Sequence, residues 1–185
     1  MKFQEVYMKN TKVTLVPLTA DDREQFILDN QWAFKYGAME EFGMRDDHLE
    51  EDDEIISRET IERSIDAPDS EVYRIMLDGK PVGGVVLQIN KQTNHNHLDL
   101  LFVSPEDHSK NIGFSAWKAV EALHPETKVW ETCTPYFEKR NIHFYINKCG
   151  FHAVEFFNQY HIDPDSPADD SDGPNEMLRF EKVMR

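Results

Sequence analysis

The sequence predicts a mixed α/β fold, with a mostly antiparallel sheet of about six or seven strands, a central parallel pair and about four flanking helices. Three stretches carry that expectation. Residues 98–123 read LDLLFVSPEDHSKNIGFSAWKAVEAL. Their apolar run, Leu98 to Val103, stops at Ser104-Pro105, and Ile112, Ala116, Ala119, Val120 and Leu123 then recur at the spacing of one helical face. Two β-rich runs, 73–77 and 83–89, flank Asp78-Gly79, a dipeptide that marks tight hairpins. Beyond the helix, 127–133 (TKVWETC) reads as a strand, which a crossover connection lays parallel to the first.

From the N-terminus, Val13 to Leu18 is β-rich, and Thr19-Ala20-Asp21-Asp22 supplies a helix start ahead of Phe26, Ile27, Ala33 and Phe34. A second helix is expected from about 53 to 65, with Ile61 and Ile65 one turn apart and Pro68 beyond its end. The hairpin and a polar turn, 90–94, lead into a strand beginning at His95, so three antiparallel strands precede the crossover. After the strand at 127–133, a helix over about 137–148 ends at Gly150, the residue type suited to a left-handed cap, and 151–157 and 176–184 are the last strands. The order is β-α-α-β-β-β-α-β-α-β-β. Between the last strands, 161–175 is an acidic loop carrying Pro164, Pro167 and Pro174. Counting back from Gly173 puts Ala168 at the first ligand position of an EF-hand, so the calcium pattern fails.

At 185 residues the chain suits one domain spanning 1–185. Its formal charge of -15 and pI near 4.8 count against nucleic acid and anionic membranes and permit a cationic substrate. No stretch approaches a membrane span and the N-terminus lacks a secretory signal, so a cytoplasmic protein is expected, with Cys133 and Cys149 as free thiols. The acidic run 46–54 must face water; it is either a solvated face or an acidic rim recruiting a cationic amine.

Glu106 to Gly113 form a short polar loop whose backbone N–H groups converge with the unpaired first-turn donors of the following helix, an arrangement that binds phosphate. Val103, Pro105, His108, Asn111 and Gly113 fall on the spacing V-x-P-x-x-R/Q-x-x-G-x-G/A. On these residues the chain resembles the GNAT superfamily of acyl-CoA N-acyltransferases, and the resemblance covers nearly its whole length. His108 stands for the usual Arg or Gln and Asn111 for the first Gly; Asn tolerates left-handed backbone angles. The resemblance implies that His108, Ser109, Lys110, Asn111, Ile112, Gly113 and Phe114 hold the pyrophosphate of acetyl-CoA. It also implies that backbone groups of Phe102 and Val103 meet the pantetheine and thioester where the strand splays from its parallel neighbour.

Residues 141–151 resemble the second motif of the family, N-x-x-A-x-x-F-Y-x-K-x-G-F, in which the Asn bonds the pantetheine arm and the Tyr protonates the leaving thiolate. Aligned on Gly150-Phe151, the Tyr slot falls on Ile146 and the Asn slot on Lys139. Aligned on Phe144-Tyr145, the helix needs one extra residue, which only a bulge absorbs. Asn141 and Tyr145 are the candidates, with His143 a reserve donor.

Strict alternation along the central strand puts His95, His97, Asp99, Leu101 and Val103 on one face. His97 lies six residues before Val103, where several GNAT enzymes carry a Glu acting as general base through water. An imidazole can take that role, and Asp99 can share it or orient the ring; otherwise His95-Asn96-His97 is a polar strand entrance. His95-x-His97 lacks a third partner at suggestive spacing, so no metal is expected. The resemblance implies an acetyl-CoA-dependent N-acetyltransferase acting on a primary amine of a small molecule or peptide. The alternative is an acyl-CoA-binding module with little turnover. Such folds commonly dimerise through their last strands, which leaves a homodimer open.

Overall fold

The computed structural model describes residues 12–42, 55–108, 111–164 and 176–185. Ser109, Lys110, the acidic run 46–54 and the 161–175 loop beyond Pro164 lie outside the described residues. The strands are β1 (Val13–Pro17), β2 (Ser70–Leu77), β3 (Lys80–Gln88), β4 (His95–Val103), β5 (Val129–Pro135), β6 (His152–Phe157) and β7 (Met177–Val183). The helices are α1 (Arg23–Phe42), α2 (Arg58–Asp66), α3 (Ile112–Leu123) and α4 (Lys139–His143). The strands form one seven-stranded sheet in the order β1-β2-β3-β4-β5-β7-β6. Among the described residues only β4 and β5 pair in parallel; the other neighbours are antiparallel. The expected mixed architecture and element order are those observed.

Local chemistry explains the boundaries. Asp78 and Gly79 both take positive φ, 50° and 82°, as a tight hairpin turn with the twist of its strands requires. Helix α2 starts later than its apolar spacing suggests because the Ser57 hydroxyl accepts the Thr60 N–H and caps the first turn. Ahead of α1, a 3-10 turn over Ala20–Asp22 occupies the expected start signal, and the Thr19 side chain makes no cap bond. Helices α1 and α2 cover one face, where Phe26, Ile27 and Ile61 pack with Val86, Leu100 and Phe102. On the other face Trp117, Val120 and Tyr145 pack with Val85, Leu87, Leu98, Trp130 and Phe180. The buried Arg74 of β2 ties the first face to the chain's start, bonding Asp22 at 2.5 Å and Asp29 at 2.8 Å.

Strand β4 departs from strict alternation. Val86 pairs with Leu100 and Leu87 with Leu98, which leaves Asp99 as an extra residue in a bulge. Leu98 therefore packs with Trp117, Leu100 and Phe102 pack with Phe26 and Ile27, and Leu101 and Val103 return to the α3 side against Ile112 and Ala116. The single-face expectation for His95, His97, Asp99, Leu101 and Val103 fails for the last two. An inserted residue moves every later side chain to the opposite face. His97 and Asp99 stay together on the α1–α2 side.

Gly84 of β3 lies beneath the Phe26–Phe102 pair, whose rings meet edge to face at 5.1 Å. A Cβ at Gly84 would fall 2.3 Å from the Phe26 ring and 2.6 Å from that of Phe102. Gly84→Ala should cost about 1–3 kcal/mol by overpacking, read by chemical denaturation; unchanged stability would contradict this packing.

Candidate active site

The parallel pair opens. β4 and β5 pair only through His95↔Val129, Asn96↔Trp130 and His97↔Glu131, although β4 continues to Val103 and β5 to Pro135. Past those pairs each strand keeps only its outer neighbour, β3 for β4 and β7 for β5. The two facing edges become a wedge of backbone polar groups without a strand between them. At the apex the Thr132 hydroxyl donates to the Leu98 carbonyl at 2.8 Å, one residue before the Asp99 bulge.

The wedge widens toward the mouth of α3. After Val103, the Ser104 N–H donates to the Val82 carbonyl at 2.8 Å and Pro105–Asp107 make a 3-10 turn. His108 folds back, its Nε2–H donating to the Val103 carbonyl at 3.0 Å and its ring meeting Tyr36 edge-on. Asn111 takes the left-handed conformation, φ 59° and ψ 20°, that its side chain tolerates, and it makes no side-chain cap bond. The first helical bond runs from the Ser115 N–H to the Asn111 carbonyl at 3.1 Å. The N–H groups of Ile112, Gly113 and Phe114 precede it and point out of the helix's positive end. Gly113 lies against the Phe144 ring, whose nearest atoms are 3.5 Å from where a Cβ would stand. An anion with several oxygens fits the chemistry of such a mouth.

Titratable groups flank the apex on the α1–α2 side. His97 Nδ1 lies 3.3 Å from Asp99 Oδ1. The other Asp99 oxygen accepts from the Ser64 hydroxyl of α2 and from Gln88 Nε2, whose amide also donates to the Ser64 carbonyl at 3.0 Å. Burial opposes the Asp99 charge, but the bonds from His97, Ser64 and Gln88 outweigh it and hold the carboxyl below its ordinary range. Glu131 lies 3.9 Å from His97 Nε2 and 3.3 Å from His95 Nε2, and Arg179 reaches it at 3.3 Å. Ser64, Gln88, Glu131, Thr132 and Arg179 carry no motif and were invisible in the sequence; the only signal is their register beside residues already singled out.

From the opposite face comes Tyr145. The helix widens into a π-turn over Phe144–Cys149 and closes on Gly150, with φ 78°, whose N–H donates to the Tyr145 carbonyl. This turn accommodates the residue that the second motif has in excess. Tyr145 is buried in the core beside Thr132 at the apex, and burial pushes its phenol well above the ordinary value. Ile146 is exposed instead, and His143 lies on the outer side with Asn147 at 3.0 Å. Asn141 donates to the Thr134 hydroxyl of β5 at 3.4 Å. Burial pushes the Cys133 thiol up to about 12, so it is not a thiolate at neutral pH and is a poor nucleophile. His95, Glu131 and Glu181 offer ligand atoms that all lie within 4.8 Å of one another, the third partner that spacing did not show. No helix among the described residues is long and apolar enough to cross a membrane.

Residues 31–151 match the family described as Acetyltransferase (GNAT) family. The chain is 48% identical over 180 residues to the uncharacterized protein YrkN of Bacillus subtilis (strain 168), covering 94% of this chain and 95% of that one. Its fold is similar to that of the ribosomal-protein-S18-alanine N-acetyltransferase from Escherichia coli, with a TM-score of 0.64 at 13% identity over 93% of this chain and 94% of that one. It is equally similar to the PaiA N-acetyltransferase from Thermoplasma acidophilum in complex with coenzyme A, with a TM-score of 0.64 at 18% identity over 94% and 99% of the two chains.

Because the folded value of Asp99 is depressed, its ionised form stabilises the fold fully above the ordinary Asp value and loses that contribution as pH falls through the folded one. The stability gap between wild type and Asp99→Asn should be complete at pH ~7 and shrink below pH ~4, measured by urea denaturation. A gap independent of pH would show that the charge is not what the three donors hold.

Proposed function

The chain belongs to the acetyltransferase (GNAT) family, and on that premise we propose that it is an acetyl-CoA-dependent N-acetyltransferase acting on a primary amine of a small molecule or peptide. The observation that supports this best is the opening of the β4–β5 pair after three residue pairs, leading to a helix mouth at which the Asn111 side chain makes no cap bond. The pyrophosphate of acetyl-CoA is held by the N–H groups of Ile112, Gly113 and Phe114, with Ser109, Lys110 and Asn111 in the same loop. The pantetheine arm lies along the β4 edge at Phe102 and Val103, near Asn141. The amine enters from the α1–α2 side, and the negative charge of the chain, -15, favours a cationic one.

Asp99 accepts the Nδ1–H of His97, which leaves the Nε2 lone pair as the base. The amine nitrogen attacks the thioester carbonyl carbon, the C–N bond forms and the C–S bond breaks. His97 takes the amine proton, and Tyr145, kept protonated by burial, gives one to the departing thiolate. No metal takes part in the transfer. We place this chemistry in one domain spanning 1–185, in the cytoplasm, where free Cys133 and Cys149 are stable. The place of β6 at the edge of the described strands supports a homodimer through the last strands.

An acyl-CoA-binding module with little turnover is the second reading. It is favoured by His108, whose ring is tied to the Val103 carbonyl where the family has an Arg or Gln for phosphate.

CoA thiol release over a panel of amines separates the two. The transferase releases CoA with at least one amine, and His97→Gln and Tyr145→Phe each lower kcat by about 100-fold or more. Both variants keep the stabilisation by acetyl-CoA, about 2.7 kcal/mol at 100 times its dissociation constant. Stabilisation without release supports the module, and no stabilisation removes both readings.

A further inference from the structure

On the α1–α2 side of the sheet, below the apex of the wedge, the strand register gathers a second group of side chains. Glu131 of β5 pairs with Glu181 of β7, and Glu181 pairs with His152 of β6, so the three share one face. His95 of β4 leans across to Glu131, its Nε2 lying 3.3 Å from Oε2. The ligand atoms of His95, Glu131 and Glu181 all lie within 4.8 Å of one another. An ion at about 2.0–2.2 Å from each donor needs them within about 4.4 Å of one another, so any pair at the upper end of that spacing closes slightly on the ion.

We propose that His95, Glu131 and Glu181 bind a divalent transition metal ion. One imidazole nitrogen with two carboxylates suits zinc, nickel or copper, whereas calcium and magnesium favour oxygen-only shells. Two more imidazoles border the group: His97 Nε2 lies 3.9 Å from Glu131 Oε1, and His152 is the cross-strand neighbour of Glu181. Arg179 pairs with Glu131 and also holds Glu155 at 2.7 Å. A metal that takes over Glu131 therefore leaves the guanidinium paired. His95 is 44% exposed on its side chain, so the ion enters directly from solvent.

A consequence rests on the transferase reading. His97 Nε2 lies 3.9 Å from Glu131 Oε1, so an ion held on Glu131 is within reach of the lone pair that the transfer uses, and the metal inhibits acetyl transfer.

The test uses the full chain without an affinity tag and zinc as the probe, titrated against a chromophoric chelator. Wild type should bind one zinc per chain, and His95→Ala and Glu181→Gln should each bind at least ~10-fold more weakly while keeping the wild-type circular dichroism. Either variant is sufficient should the other fail to fold. Absence of zinc binding by wild type, or folded variants that bind as wild type does, would overturn the site. The titration reads the site whether or not the protein transfers acetyl groups. Where it does, zinc should inhibit wild type and spare His95→Ala; equal inhibition of both would remove the regulatory consequence and leave the binding result standing.

Discussion

Everything at the site follows from where β4 and β5 stop pairing. Backbone polar groups must find partners, and in this sheet β3 and β7 satisfy only the outer edges of the two central strands. The bulge at Asp99 lies one residue past the last pair's neighbour, Leu98, whose carbonyl is already taken by the Thr132 hydroxyl. A bulge bends its strand and increases local twist, so the strand that carries it turns away from its parallel partner. The same extra residue decides which side chains see which face. It keeps Asp99 with His97 and sends Leu101 and Val103 to the α3 side.

The opening is consequently lined from two independently packed layers. On one side, α2 is fastened to β4 through Ser64, Gln88 and Asp99, and Arg74 fixes the start of α1 to β2. On the other, Tyr145 stands among Phe151, Phe180 and Trp117. Its π-turn is held at the C-terminal end by Lys182, whose ammonium donates to the Cys149 carbonyl at 2.6 Å and pairs with Glu121 of α3. A cation at a helix C-terminus meets carbonyls that have no helical partner. The acid and the base of the proposed transfer thus come from opposite faces of the sheet, each held by its own core.

Much was readable before any fold was known. The hairpin at Asp78-Gly79, the helical recurrence from Ile112 to Leu123 and the cap at Gly150 are local, governed by backbone angles and side-chain periodicity that a few neighbouring residues settle. The loop spacing from Val103 to Gly113 identified the helix mouth for the same reason, since main-chain donors at a helix start need no distant partner. The start of α2 was misplaced because a single hydroxyl, that of Ser57, outweighs the apolar spacing around it.

What the chain by itself determined is therefore the element order, the family and the position of the turn at the mouth of α3, all properties of contiguous residues. Tertiary structure alone decided the rest. The bulge at Asp99 exists only against β3, and the π-turn puts Tyr145 beside Thr132 only because its ring packs against Phe151 and Phe180. Glu131 meets His95, His97, Arg179 and Glu181 only through sheet register. Register is a relation between strands far apart in sequence, and a one-residue slip reverses every contact it makes, so no local pattern encodes it.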